Sequence, residues 1–347
     1  MRILHVTPHF GGGVGTVLLD WLVNDLSSSF GHEVVSLDFI NEKAQKVLKK
    51  HYIPSIEGHR FIRDKKEITS KYDIVLVHWW DSPDLKQLFS EPFPASRLIF
   101  WCHKNYPLSI EEKSYPDAFY GTAPCQGLNR YIWSTRDMDM FLNTKKQEHD
   151  GFNVGTIGSY KKLLPLFYQL ISSNNLIFAG DIPAYKENDY RITNYGKVDD
   201  DLLMDIYSVL DVFFYPLRDD HYGTCEQVLG EAMSAQIVPI VLDNPCERDI
   251  VENGVNGFIA TEINDLQMFI YILQNYPDIR KRMEKNAAES AYYKYNQFVM
   301  RNNWHNAFDQ IMENKKVDRE PLFGKSTDEQ DQKRVSYFSA QRGPDGL

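Results

Sequence analysis

Cysteine is scarce in this chain: Cys102, Cys125, Cys225 and Cys246 are the four among 347 residues. They lie far apart and show none of the paired spacings of a metal site. Buried or free thiols in a reducing compartment are the plain reading, and zinc is not expected. Long apolar runs are also missing. No stretch of about 18 apolar residues occurs, which argues against a membrane-spanning helix. The opening MRILHVTP runs straight into glycines without the apolar region and cleavage site of a secretory leader, so a cytoplasmic protein is expected. Positive charge is not in excess, with 38 Lys and Arg against 48 Asp and Glu for a net charge of −10. A nucleic-acid partner, which needs a concentrated basic surface, is not expected. What is present is 43% hydrophobic residues in a chain long enough for two domains with separate cores.

Short apolar runs rich in Val, Ile and aromatics mark strands at about Ile3–Val6, Val34–Leu37, Ile74–His78, Leu98–Cys102 and Phe119–Gly121. The longer segments between them supply crossover helices, the first over about Thr16–Ser28, as in a mostly parallel sheet covered on both faces. A polar, lysine-rich segment, Thr144–Gly151, reads as a linker. A second series follows, with strands at the start of FNVGTIG and at Leu176–Ala179, Arg191–Tyr195, DVFFY, Ile237–Leu242 and Gly257–Ala260, then three helices. The expected fold class is α/β, with two doubly wound, Rossmann-like domains facing across a cleft. Residues 1–148 form the first. Residues 149–316 form the second with the terminal helices, the last a candidate to cross back to the first domain. Residues 317–347, polar and punctuated by Gly and Pro, read as a flexible extension.

Ligand loops of such sheets lie beyond the carboxyl ends of the strands. GGGVGT, Gly11–Thr16, sits between a strand and a helix, where the amides of Gly12 and Gly13 can face a phosphate, although a plain tight turn fits the same glycines. His103 ends the run RLIFWC and would emerge there to donate to a sugar or phosphate oxygen. His78 at the end of DIVLVH has the same placement, and Trp79 and Trp80 after it either line a sugar or pack. Lys161 follows the strand NVGTI, where a compact cation can neutralise a diphosphate, and Lys162 is equivalent by position.

In HYGTCEQVLGEAMS, Thr224 as N-cap and Gln227 three residues on spell a capping box, with Glu226 in the first turn where the helix dipole favours a carboxylate. Glu231 leads into an apolar stretch and needs a partner, which a ribose hydroxyl can supply. Glu226 and Glu231 fall about 140° apart around a helix, which disfavours a two-carboxylate hydrolase. Glu247 reads as a first-turn acid of the next helix.

Three segments, VGTIGSYKK, NYGKVDDDLLMDIYSVLDVFFYPLRD and YGTCEQVLGEAMSAQIVPIVLDNPCERDIVENGVNGFI, resemble in order and spacing the donor domain of family-4 retaining glycosyltransferases of the GT-B fold. GGGVG and His103 match the amino-terminal half of those enzymes where they contact the donor phosphate and the reacting sugar. The resemblance implies that Lys161 binds the donor diphosphate and that Glu231, as second glutamate of the E-x7-E motif, holds the nucleotide ribose. It also implies that the amides at Thr224, Cys225 and Glu226 cradle the pyrophosphate. Two positions depart from the pattern. Gly223 stands where the first glutamate belongs, and Thr156 where an arginine often flanks the diphosphate, with Arg218 and Arg248 as candidate replacements.

The implied activity is transfer of a hexose-like sugar, with retention, from a nucleotide diphosphate sugar to a hydroxyl of a glycan or lipid-linked glycan, as in bacterial surface-polysaccharide assembly. No cofactor or metal is implied beyond that donor substrate. The run Arg60, Arg63, Lys65, Lys66 would allow peripheral contact with an acidic membrane at its inner face, or is ordinary solvated surface. The departures at Gly223 and Thr156 keep a catalytically weak sugar-binding accessory subunit as the rival, and a GT-B epimerase as a third reading.

Overall fold

The computed structural model describes residues 1–26, 29–158, 163, 175–182 and 190–324. The chain divides into two compact units, one of Met1–Arg136 with Gln297 onward, the other of Asp137–Asn296. The Thr144–Gly151 segment lies in the second unit, where the Lys146 ammonium donates to the carbonyls of Tyr207 and Leu210. Of the expected extension, residues 325–347 lie outside the described residues, while Val317–Arg319 is a strand.

The strands of the first unit are β1 (Arg2–Thr7), β2 (Gly31–Ser36), β3 (Ser55–Glu57), β4 (Ile74–Trp79), β5 (Phe93–Ser96), β6 (Leu98–Cys102) and β7 (Ala118–Gly121). Six are parallel in the order β3-β2-β1-β4-β6-β7, and β5 pairs antiparallel with the strand Val317–Arg319. Alternation along β1 sends Ile3 to one face and Leu4 and Val6 to the other. The Ile3 face is covered by Val17, Leu18, Trp21 and Leu22 of the helix Gly12–Asn24 and by Met300, Trp304, Phe308 and Ile311 of the helix Gln297–Ile311. The opposite face packs against Phe61, Ile68, Leu85 and Leu88 from three short helices.

The first helix starts at Gly12, earlier than the expected Thr16, and ends at Asn24. The glycines are thus its first turn, not a loop before it. Gly11 is the extended N-cap, and a Cβ on Gly15 would come within 3.0 Å of the Phe10 backbone, so the close return of the helix over β1 requires glycine there.

The strands of the second unit are β8 (Asn153–Ile157), β9 (Asn175–Ala179), β10 (Ile192–Asn194), β11 (Val212–Tyr215), β12 (Val238–Leu242) and β13 (Phe258–Ala260), all parallel in the order β10-β9-β8-β11-β12-β13. Counted along its parallel strands, each sheet has the order 3-2-1-4-5-6 of dinucleotide-binding folds. The helices Asp200–Ser208, Glu226–Ser234 and Pro277–Lys294 bury Leu203, Ile206 and Tyr207, then Leu229, Ala232 and Met233, then Met283, Ala287 and Ala291.

Trp304 holds the late helix onto the first sheet. It is fully buried, stacked on Trp21 at 5.3 Å and edge-on to Trp101 at 5.0 Å. Trp304→Ala is expected to lower stability by about 3–5 kcal/mol, read as a drop in the denaturant midpoint of the first unit. A loss below about 1 kcal/mol would contradict this packing role.

Candidate functional site

In sheets of this order the ligand crevice opens where the strand order reverses, between β1 and β4 in the first unit and between β8 and β11 in the second. In the first unit the loops there carry aromatic and imidazole groups. The Gly11 amide donates to His9 Nδ1 at 3.1 Å, His9 stacks on Phe39 at 5.0 Å and meets Trp80 edge-on at 5.5 Å, and Trp80 meets His103 edge-on at 6.3 Å. Gly12 and Gly13 are exposed at the helix start, and Gly12 has φ +60, a conformation that favours glycine.

His103 lies just past β6, as expected, but is almost fully buried, with Nε2 3.0 Å from His78 Nδ1. Burial, reinforced by His78, pushes its pKa well below the ordinary value, so the ring is neutral. His78 does not emerge at the sheet edge. β4 runs on through Trp79 and keeps His78 wholly inside, with its pKa lowered to about 3 by burial. Trp79 packs, stacked on Phe100 at 4.2 Å. In the basic run of the same unit, Arg63 pairs with Asp64 at 2.7 Å and Lys65 lies over the Phe93 ring.

In the second unit, Lys161 and Lys162 lie outside the described residues. Thr156 is buried in β8, its hydroxyl without a hydrogen-bond partner. Leu163 bridges to Leu217, in the loop after β11. Arg218 is held by Asp220 and Arg248 by Asp243, so both candidate replacement cations have a carboxylate partner.

The loop into the helix Glu226–Ser234 differs from the expected capping box. Cys225, not Thr224, is the N-cap, with φ +63 in the left-handed region and no side-chain cap bond. The Glu226 amide donates to the Thr224 carbonyl at 2.8 Å, a tight turn that moves the helix start past Thr224. A left-handed non-glycine residue costs about 1 kcal/mol or more, and such strain concentrates where a loop is shaped for a ligand. Gly223 needs no such conformation, and a Cβ there would meet only ordinary contacts, 3.6 Å from His221 Nδ1 and 3.8 Å from Cys225 Sγ.

Glu226 and Glu231 are both buried, and Glu231 Oε2 accepts from the Tyr207 hydroxyl at 3.1 Å, a protein partner that the sequence did not announce.

A second grouping also escaped the sequence. Glu247 is completely buried, and its Oε1 accepts from His221 Nε2 at 3.2 Å and from Asn244 Nδ2 at 3.1 Å, tying the loop after β11 to the helix Pro245–Ile250. His221 Nδ1 and Glu247 Oε2 are buried without hydrogen-bond partners. His221, Cys225 and Glu247 offer ligand atoms within 4.8 Å of one another, nitrogen, sulfur and oxygen donors of the types that suit zinc. The spacing hid them, because Glu247 comes from a different strand-to-helix junction.

Residues 159–290, most of the second unit, match the family model described as Glycosyl transferases group 1. No curated protein sequence matches the chain. The fold is that of solved GT-B glycosyltransferases. A glycosyltransferase from Rickettsia africae superposes with a TM-score of 0.69 at 13% identity, covering 90% of this chain and 99% of its own. The sucrose-phosphate synthase of Thermosynechococcus elongatus gives 0.69 at 14%, covering 90% and 100%. HepE of Anabaena, solved with UDP-glucose, gives 0.65 at 14%, covering 89% and 100%. The chain has the GT-B fold, and the segment that carries the family signature is its second unit.

Glu247→Ala strands the His221 Nε2 inside the second unit, while Asn244 keeps the Leu217 carbonyl, and is expected to cost about 2–3 kcal/mol. The check is the denaturation midpoint of that unit, and a variant as stable as the parent would show that the His221–Glu247 contact does not hold the loop.

Proposed function

We propose that the protein is a retaining glycosyltransferase that moves a hexose-like sugar from a nucleotide diphosphate sugar to a hydroxyl acceptor. The observation that carries this reading is the match of residues 159–290 to Glycosyl transferases group 1 over a parallel sheet of dinucleotide-binding order. On this reading Lys161 and the amides of Thr224, Cys225 and Glu226 take the diphosphate, and Glu231 takes the ribose. Gly12, Gly13 and His103 serve the transferred sugar and phosphate from the first unit.

Stabilising the departing diphosphate is then the largest contribution to rate, since no enzyme nucleophile is assigned and a donor phosphate oxygen takes the acceptor proton. The acceptor is a glycan or lipid-linked glycan of surface-polysaccharide assembly, and Arg60, Arg63, Lys65 and Lys66 favour approach to an acidic membrane surface. No helix among the described residues is long and apolar enough to cross a membrane.

Gly223 and Thr156, each lacking the charge that the resemblance leads one to expect, favour a second reading, a sugar-binding accessory subunit without turnover. UDP-glucose with a panel of hydroxyl acceptors, followed by NMR of the product's anomeric proton, separates the two. A new glycosidic bond of retained configuration supports transfer, an altered donor sugar alone indicates epimerisation, and tight donor binding without product indicates the accessory role.

Lys161→Ala is expected to lower kcat/KM for the donor about 100-fold, roughly 2.7 kcal/mol of lost transition-state stabilisation. Glu231→Gln is expected to raise the donor KM with kcat largely kept. Unchanged donor kinetics in both variants would remove these assignments. Gly223→Ala, for which the backbone has room, is expected to keep the parent's melting temperature while weakening donor binding about tenfold, if the ligand approaches this backbone closely.

A further inference from the structure

Four imidazoles cross the first sheet diagonally on a single face. His32 lies near the start of β2, His5 in the middle of β1, His78 near the end of β4 and His103 just beyond β6, on neighbouring strands. Their ring nitrogens are joined in sequence. His103 Nε2 is 3.0 Å from His78 Nδ1, His78 Nε2 is 3.2 Å from His5 Nδ1, and His5 Nε2 is 2.9 Å from His32 Nδ1. The far end is a carboxylate, for His32 Nε2 lies 2.9 Å from Asp25 Oδ2. Asp25, at the end of the helix Gly12–Asn24, is 1% exposed and also meets His305 Nε2 at 2.9 Å. Trp21 and Trp101 wall the row, Trp21 edge-on to His5 at 5.0 Å and Trp101 against His103 at 4.4 Å. Both ring nitrogens of His5 and of His78 are used within the row.

A neutral imidazole has one donor nitrogen and one acceptor nitrogen, so each contact in the row needs a single proton. A carboxylate has no proton to give and can only accept. With Asp25 ionised, His32 carries its proton on Nε2 and accepts at Nδ1, which forces the same choice on His5, then on His78, then on His103. The reverse order requires a charged His32 or a protonated Asp25.

Burial opposes a charge on the row: it pushes His5, with help from His32 and His78, as well as His78 and His103, below the ordinary imidazole value. Burial would raise the Asp25 carboxyl, but hydrogen bonds from His32 and His305 outweigh it and hold it below the usual value. His305, with a side chain 23% exposed against 5% for His32, is the better-solvated of the two imidazoles beside that carboxylate.

We propose that Asp25 is a positioning residue that acts through three intervening imidazoles to fix the tautomer of His103, leaving His103 Nδ1 an unprotonated acceptor at the carboxyl end of β6. The group it meets is then a donor, a substrate hydroxyl and not a phosphate oxygen. This reverses the role expected from the sequence, in which His103 donates. The hydroxyl assignment rests on the proposed transferase reading, whereas the tautomer does not.

Long-range proton–nitrogen NMR of the full chain with nitrogen-15-labelled histidine reads the tautomers directly, with peaks assigned by loss in single histidine variants. The expected wild-type result is a proton on Nε2 of His103, His78, His5 and His32. In Asp25→Asn, whose amide can donate to His32 and so reverse the row, and in His32→Gln, which cuts it, His103 is expected to shift toward Nδ1–H or a mixture. A wild-type His103 carrying its proton on Nδ1 overturns the proposal, and so does an unchanged His103 tautomer in folded Asp25→Asn. Should either variant fail to fold, the wild-type pattern decides. Where transfer activity is found, Asp25→Asn is expected to lose about tenfold in kcat with donor KM kept. Absence of transfer in the wild type would remove the hydroxyl assignment while leaving the tautomer result standing.

Discussion

A parallel sheet has no solvent face, because its crossovers return over both sides, and the rest of the molecule answers to that requirement. The first sheet cannot be covered by its own crossovers alone. Trp304 and Phe308, from a helix that follows the whole second unit in sequence, complete the layer begun by Trp21. The second sheet is closed by helices from its own span. The same dryness explains the histidine diagonal. Polar rings within an apolar layer are tolerable only when each nitrogen is satisfied, and satisfying them in series passes the requirement from β2 to β6.

The two candidate regions are built differently. In the first unit the groups at the carboxyl ends are rings, His9, Trp80 and His103, held by stacking and by the hydrogen-bonded row behind them. In the second they belong to a loop under local strain, with Cys225 left-handed and His221 locked to a fully buried Glu247. Gly223 sits between His221 and Cys225, so a side chain there would be bordered by an imidazole and a thiol.

Much of this was legible beforehand. β6 matched its apolar run residue for residue and the other expected strands did so within a few positions, because short β-branched and aromatic runs between polar segments leave little choice, whereas the short strands β3, β5 and Val317–Arg319 were not read from the sequence. The first helix was misplaced by four residues, since glycines read as loop when they are helix N-terminal residues required by close packing on Phe10. The site was legible only in part. His103 could be placed from the end of its strand. His5 and His32 were not singled out, and their meaning depends on strand order, which periodicity does not give. Glu231 was singled out by position and by resemblance, and its Tyr207 partner and the His221–Glu247 pair join separate crossovers, contacts that no local pattern encodes.

The return of Gln297–Ile311 to the first sheet makes the second unit an insertion within the first. Synthesis from the amino terminus therefore delivers the domains in an order opposite to their numbering. The inserted unit has all of its chain once Asn296 has left the ribosome, while the first must wait with Trp21 and the imidazole row partly uncovered until Trp304 arrives. Residues made before the second unit are thus sealed from water after it, and during that interval the nascent chain offers an open aromatic face to chaperones.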